Sequence, residues 1–350
     1  MGILRFIFAL TVLVAHALDT GTFLFPAPSA VISFFVISGF YMALILDGKY
    51  TSKIHFYINR ALRIFPIYWL MLFLTVALGL AKSYFNIGSG DNAILHYFHY
   101  SAHLSGIEEL TEGTNFVLRN LTLILSKDYF SITENLAGGY LFLYQAWSLQ
   151  IELLFYILAP FILRIKKNFL FFTALYFILF YGLIEPLTYS ISPNVQSLRF
   201  LNYFIYFLLG VCSYKYIYLK IQHIKPTFIT KILFLMFLGY LLFYQLVPGR
   251  IVEQDFYTGL LYYIPFAVAI SFFFLLTKNS KWDRFIGELS YPIYMSHFVV
   301  AKIIYSLPHS NLPLLNAAII TALTIAFSLI LIVLIQNPID KFRHGKLKKN

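Results

Sequence analysis

Long apolar runs recur along the whole chain, each near the ~20 residues that a helix needs to cross the hydrocarbon of a bilayer. Ten such segments are predicted, over 3–19, 27–46, 64–84, 138–163, 168–185, 198–217, 231–247, 257–277, 285–305 and 313–336. The expected fold is therefore all-α: a polytopic membrane helical bundle of about ten transmembrane helices, one domain over 1–350 with no appended soluble domain. A single long connection, over about 85–137, is polar and reads as an external lid, an acceptor platform or a structural cap. The first run, LRFIFALTVLVAHALDTG over 4–21, also carries the marks of a cleaved secretory signal: one Arg5, a short apolar stretch, then Ala15-His16-Ala17. A secreted protein is soluble once its signal is gone, whereas here the apolar segments continue to the C-terminus, so a retained first helix is expected.

Composition agrees: 60% of the 350 residues are hydrophobic and 12% charged, against roughly half and a quarter in soluble domains. The formal charge of +11 resembles a nucleic-acid footprint until it is mapped. With the N-terminus inside, alternate loops gather Lys49, Lys53, Arg60 and Arg63; Arg164, Lys166 and Lys167; Lys215, Lys220, Lys225 and Lys231; Lys278, Lys281 and Arg284; and the tail Lys341, Arg343, Lys346, Lys348 and Lys349. The acids Asp91, Glu108, Glu109, Glu112, Asp128 and Glu134 sit in the long outer loop. This is the positive-inside pattern, so both termini are expected to be cytoplasmic, with the bilayer as partner and no nucleic acid. Cys212 stands alone, which excludes an intramolecular disulfide. The run His96, His99 and His103 lacks a carboxylate partner, and no metal is expected.

Ionisable groups within hydrocarbon cost about 3 kcal/mol on insertion scales, so each marks a candidate functional site. His16, Glu152 and His297 qualify. The predicted helix directions bring them to overlapping depths, together with Ser38 and Gly39. Structural readings stand beside this: a membrane histidine can bond another helix's backbone, Ser148 could satisfy Glu152 from one turn away, and Ser290, Tyr294 and His297 share a helical face. Arg5 and His16 fall on nearly one face, about 16 Å apart along the axis. Such a stripe would measure a long ligand with phosphates at one end and a reactive group at the other, the shape of coenzyme A. Arg60 and Arg63, one turn apart with Pro66 expected in the first turn of the third helix, suit phosphate or, equally, lipid headgroups.

In combination these residues resemble the acyltransferase-3 family of integral membrane acyltransferases. Arg5 and His16 fit its R-x10-H pattern, FFVISGF at 34–40 its second-helix signature, and Arg60-Ala61-Leu62-Arg63 its RxxR motif. WSLQIELLFYILAP at 147–160 and LSYPIYMSH at 289–297 are similar to its W-S-L-x-x-E and S-Y-x-I-Y-x-x-H segments. The chain departs from the family with Ser33 near a usual acid, Leu153 after Glu152, and Asn59 before Arg60. The resemblance implies a surface-carbohydrate O-acetyltransferase of a bacterial inner membrane, with acetyl-CoA as donor and an envelope glycan or lipid-linked sugar as acceptor. It implies Arg5, Arg60 and Arg63 as donor-binding residues and His16 as the catalytic residue. Ser38 joins the donor site, Asp19 or Glu152 would orient His16, and His297 is a further catalytic candidate. Two other classes compete: a proton-coupled transporter, in which the His and Glu form a relay, and a polysaccharide export component, in which His16 is dispensable.

Overall fold

The computed structural model describes residues 1–20, 23–24, 26–48, 52–85, 107–123, 141–163, 169–180, 182, 199–225, 232, 235–237, 239–240, 256–307 and 310–346. Among these residues every extended element is helical. The elements are α1 (Gly2–Ala17), α2 (Ala27–Gly48), α3 (Lys53–Phe85), α4 (Ile107–Thr122), α5 (Trp147–Ile162), α6 (Phe169–Leu179), α7 (Arg199–Cys212), α8 (Phe256–Thr277), α9 (Lys281–Ile304), α10 (Pro313–Leu331) and α11 (Asn337–Lys346). Two π-helical stretches, Ser213–Tyr218 and Ile332–Gln336, extend α7 and join α10 to α11.

Among the described residues, five helices are long and apolar enough to cross a membrane: Ala27–Gly48, Lys53–Lys82, Tyr144–Ile162, Leu201–Ile221 and Pro313–Arg343. Shorter apolar helices cover Gly2–Ala17, Phe169–Leu179 and Leu261–Thr277. Of the ten expected spans, 231–247 falls mostly outside the described residues. α9 occupies the expected ninth span, but its first turns carry Lys281, Asp283, Arg284 and Glu288. Hydroxyls within the helices bond back along their own turns, as hydrocarbon demands of any polar group: Thr11 Oγ1 to Ile7 O at 2.9 Å, Ser33 Oγ to Ser29 O and Thr75 Oγ1 to Met71 O at 2.8 Å.

Two boundaries differ from expectation. α3 begins at Lys53, so Arg60, Arg63 and Pro66 lie in its interior, not in its first turn. The stretch 53–63 is polar on one side only, and a hydropathy window does not register it. The long connection contains α4, whose end is pinned by Tyr68 Oη and Trp69 Nε1, which donate to Asn120 O (2.5 Å) and Leu121 O (2.9 Å).

α1 packs in the interior against α2, α9 and α10, with Phe8, Val12, Leu13 and Ala15 buried. It is part of the bundle's core. Close helix approaches fix the frame. A Cβ on Gly210 would lie 1.9 Å from Val36 O, and one on Gly39 2.0 Å from Phe207 O. Only glycine lets α2 and α7 cross so closely. At the bundle end where α1 begins, the Asp283 carboxylate of α9 caps α1. It accepts from Gly2 N at 2.8 Å, Ile3 N at 2.9 Å and the Met1 amine at 2.7 Å.

Candidate active site

A cavity of about 500 Å³ opens among α1, α2, α3, α5, α8, α9 and α11, within the range of small-molecule sites. Arg5, Arg60, Arg63, Lys278 and Arg284 line it, and none of the five is in an ion pair among the described residues. The lining acids are mostly engaged. Asp283 holds the start of α1, Asp340 pairs with Arg343 at 2.5 Å, and Glu152 accepts hydroxyls, which leaves Glu288. Burial would raise the Asp283 carboxyl, but the bonds from Met1, Gly2 and Ile3 outweigh it and hold it below the ordinary value of 3.8. A cluster of partly buried cations that outnumbers its nearby acids and makes no ion pair among the described residues is costly on its own account and suited to an anionic ligand.

The cavity's polar floor begins at Ser38, on α2, and Glu152, on α5. Ser38 Oγ donates to Glu152 Oε1 at 2.7 Å, and Tyr156 Oη donates to the same oxygen. Arg60, 6% exposed, lies over the rings of Phe56 and Tyr156 at 6.0 and 5.9 Å from their centroids, and its Nε has no partner. The carboxylate is therefore held by two hydroxyls, and the guanidinium beside it is stacked and positioned without being neutralised. Ser148 does not serve Glu152, as the spacing had allowed. Its Oγ bonds Gln145 O at 3.3 Å and Tyr294 Oη at 2.8 Å.

Tyr294 closes the cavity. It lines the wall with Phe34, Ser148 and Ser290, and its hydroxyl donates to Gln145 O at 2.9 Å. Behind it, one turn further along α9, the His297 ring stacks on His16 from α1, with centroids 5.5 Å apart and planes at 23°. Phe298 lies against both imidazoles. His297 is buried, and its Nδ1 lies 2.7 Å from Tyr294 O. A carbonyl only accepts, so Nδ1 carries the proton and Nε2 presents a lone pair, which is buried without a partner. His16 is exposed at the last turn of α1.

The structure thus brings Arg5, Arg60, Arg63, Ser38 and Glu152 into one cavity and puts His16 and His297 together outside it. Arg5 and His16 both lie on α1, but of the two only Arg5 lines the cavity. Glu152 makes no hydrogen bond to His16; its partners are Ser38 and Tyr156. Asp19 follows the end of α1 in a left-handed conformation (φ 52°), exposed, with its charge within range of His16. Sequence reasoning missed Tyr156, Lys278, Arg284 and Arg343 as site residues. Tyr156 was available as the i+4 neighbour of Glu152, whereas the three cations had been read only as membrane-surface charge. His96, His99 and His103 lie outside the described residues. Among the described residues, no three His, Cys, Asp or Glu side chains are grouped to hold a metal ion.

The described residues thus form a helical bundle with a cation-lined cavity and a histidine pair next to Tyr294 of its wall. The acyltransferase-3 family model, described as an acyltransferase domain, matches residues 1–333, and the chain belongs to that family. It is a multi-pass integral membrane acyltransferase. Searches of curated proteins and of solved structures find no match.

Proposed function

We propose that the protein moves an acyl group, acetyl in the simplest case, from cytoplasmic acyl-CoA to a hydroxyl of an envelope carbohydrate in a bacterial inner membrane. A lipopolysaccharide O-antigen, an exopolysaccharide or a lipid-linked precursor would supply that hydroxyl. The observation that carries this reading is the cavity lined by five cations without ion pairs among the described residues, ending on a wall with a histidine pair behind it. Arg5, Arg60 and Arg63 bind the donor's phosphates, with the cavity end of the bundle facing the cytoplasm. Glu152, fixed by Ser38 and Tyr156, positions the pantetheine arm. The thioester passes Tyr294 to reach His16. That imidazole takes the proton of the sugar hydroxyl as its oxygen attacks the thioester carbonyl, a step worth about 10²- to 10⁴-fold. The carbon–sulfur bond then breaks, and the leaving thiolate recovers the proton from His16. His297 stacks on the imidazole, and Asp19 lies at the exposed side where the acceptor approaches.

The test is transfer of labelled acetyl from acetyl-CoA to envelope glycans by the purified protein in lipid. Labelled glycan and free coenzyme A in equal amounts support the reading. No consumption of acetyl-CoA, or consumption yielding only acetate across several glycan classes, contradicts the donor or the acceptor assignment respectively.

A further inference from the structure

The family match ends at residue 333, but the cavity wall does not. Gln336, Asp340 and Arg343, from the π-helical turn and α11, line it together with Arg60, Arg63 and Arg284. Arg343 is held tightly: its side chain is 9% exposed, Nη1 donates to Asp340 Oδ1 at 2.5 Å, and Nε donates to Asn59 Oδ1 at 2.8 Å. Asn59 is itself fixed, since its amide donates to His55 O at 2.9 Å, and it immediately precedes Arg60. The guanidinium of α11 is therefore locked beside the RxxR pair of α3 by a partner that cannot turn away. Nearby, Gln336 Oε1 is buried without a partner.

Carboxylate and phosphate present the same oxygen geometry to a guanidinium. Asp340, 29% exposed, is thus the internal anion in a place where a donor phosphate would sit. We propose that Arg343 is a phosphate-binding residue for the acyl-CoA donor, supplied from beyond the family domain, and that Asp340 holds it until the phosphate displaces the carboxylate. This rests on the coenzyme A reading above. It gives the two partners of one ion pair opposite effects on affinity. Removing Arg343 removes a contact to the phosphate, whereas removing the charge of Asp340 removes the phosphate's competitor.

The experiment is calorimetric titration of the full-length protein in nanodiscs with coenzyme A, for wild type, Arg343→Ala and Asp340→Asn. Arg343→Ala is expected to weaken binding about tenfold or more, and Asp340→Asn to tighten it about two- to fivefold. A gain in affinity cannot come from misfolding, so the second variant guards the first. If both variants weaken binding, or neither changes it, the pair is a structural tie and this proposal falls while the donor reading stands. If the wild type itself binds no coenzyme A, both fall together.

Discussion

The two ends of α1 lie in different chemical settings. Around Arg5 the helix meets a roomy cavity and four further cations that make no ion pair among the described residues; around His16 it meets one stacked imidazole and a phenylalanine. Arg60 lies over the rings of Phe56 and Tyr156, whereas His297 is buried with its proton fixed on Nδ1 by a backbone carbonyl. On the proposed reading, one end receives the anionic groups of the donor and the other handles the proton. Tyr294 touches both settings: it lines the cavity, its ring lies 5.9 Å from that of His297, and its hydroxyl is tied to Ser148 and Gln145. Binding and chemistry on this reading use different residues, so substitutions should divide cleanly between affinity and turnover.

The largest expected effect is at the proton end. His16→Ala should lower the rate of acetyl transfer by about 10²- to 10⁴-fold, with coenzyme A affinity unchanged in calorimetry. The same variant binding donor poorly would erase the distinction between the two ends. At the cavity end, Arg63→Ala should weaken donor binding by about 10- to 100-fold, with turnover of saturated enzyme little altered. Arg60→Ala should do the same and also lower thermal stability, because its guanidinium packs on two rings.

The partition itself is open to test. Tyr294→Ala removes the wall between the compartments, so the ratio of butyryl to acetyl transfer should rise severalfold, while Tyr294→Phe, which keeps the ring and loses the hydroxyl bonds, should change it less. A ratio unmoved by Tyr294→Ala means the acyl group takes another path. The smallest effect is at the start of α1. Asp283→Asn should cost about 1 kcal/mol of stability through the weakened cap. The Asp283 carboxyl is depressed in the folded protein, so its contribution is complete above the ordinary carboxylate value and is lost as the pH falls through the native one. Thermal unfolding of wild type and variant should differ at pH 7 and converge below about pH 3. Convergence already at pH 6 would assign the stability to another group.

Much of this arrangement was legible in the sequence, and the unread part has physical causes. Helical spacing placed Arg60 and Arg63 one turn apart, and the directions of the second and fourth expected spans put Ser38 and Glu152 at overlapping depths, where they bond at 2.7 Å. Charges assigned to one membrane face do converge in space: Arg60, Arg63, Lys278, Arg284 and Arg343 line one cavity. At the other end, Lys82 Nζ reaches Lys302 O at 3.4 Å. Spacing also put Arg5 and His16 on one face, but periodicity fixes only where a side chain leaves its own helix. What surrounds it belongs to other helices, and here α9 brings Tyr294 to the cavity wall and His297 against His16. The stacking of His16 on His297 was hidden for the same reason. Composition misread Arg343, because a lysine- and arginine-rich tail looks the same whether it touches headgroups or folds back over a cavity.

The most direct measurement pairs coenzyme A binding with single-turnover acetyl transfer in the same nanodisc preparation of His16→Ala. Wild-type affinity with transfer abolished is the predicted result, and it separates the anion-binding end from the proton-handling end on one protein. Transfer at a rate near wild type, or loss of coenzyme A binding, would contradict it.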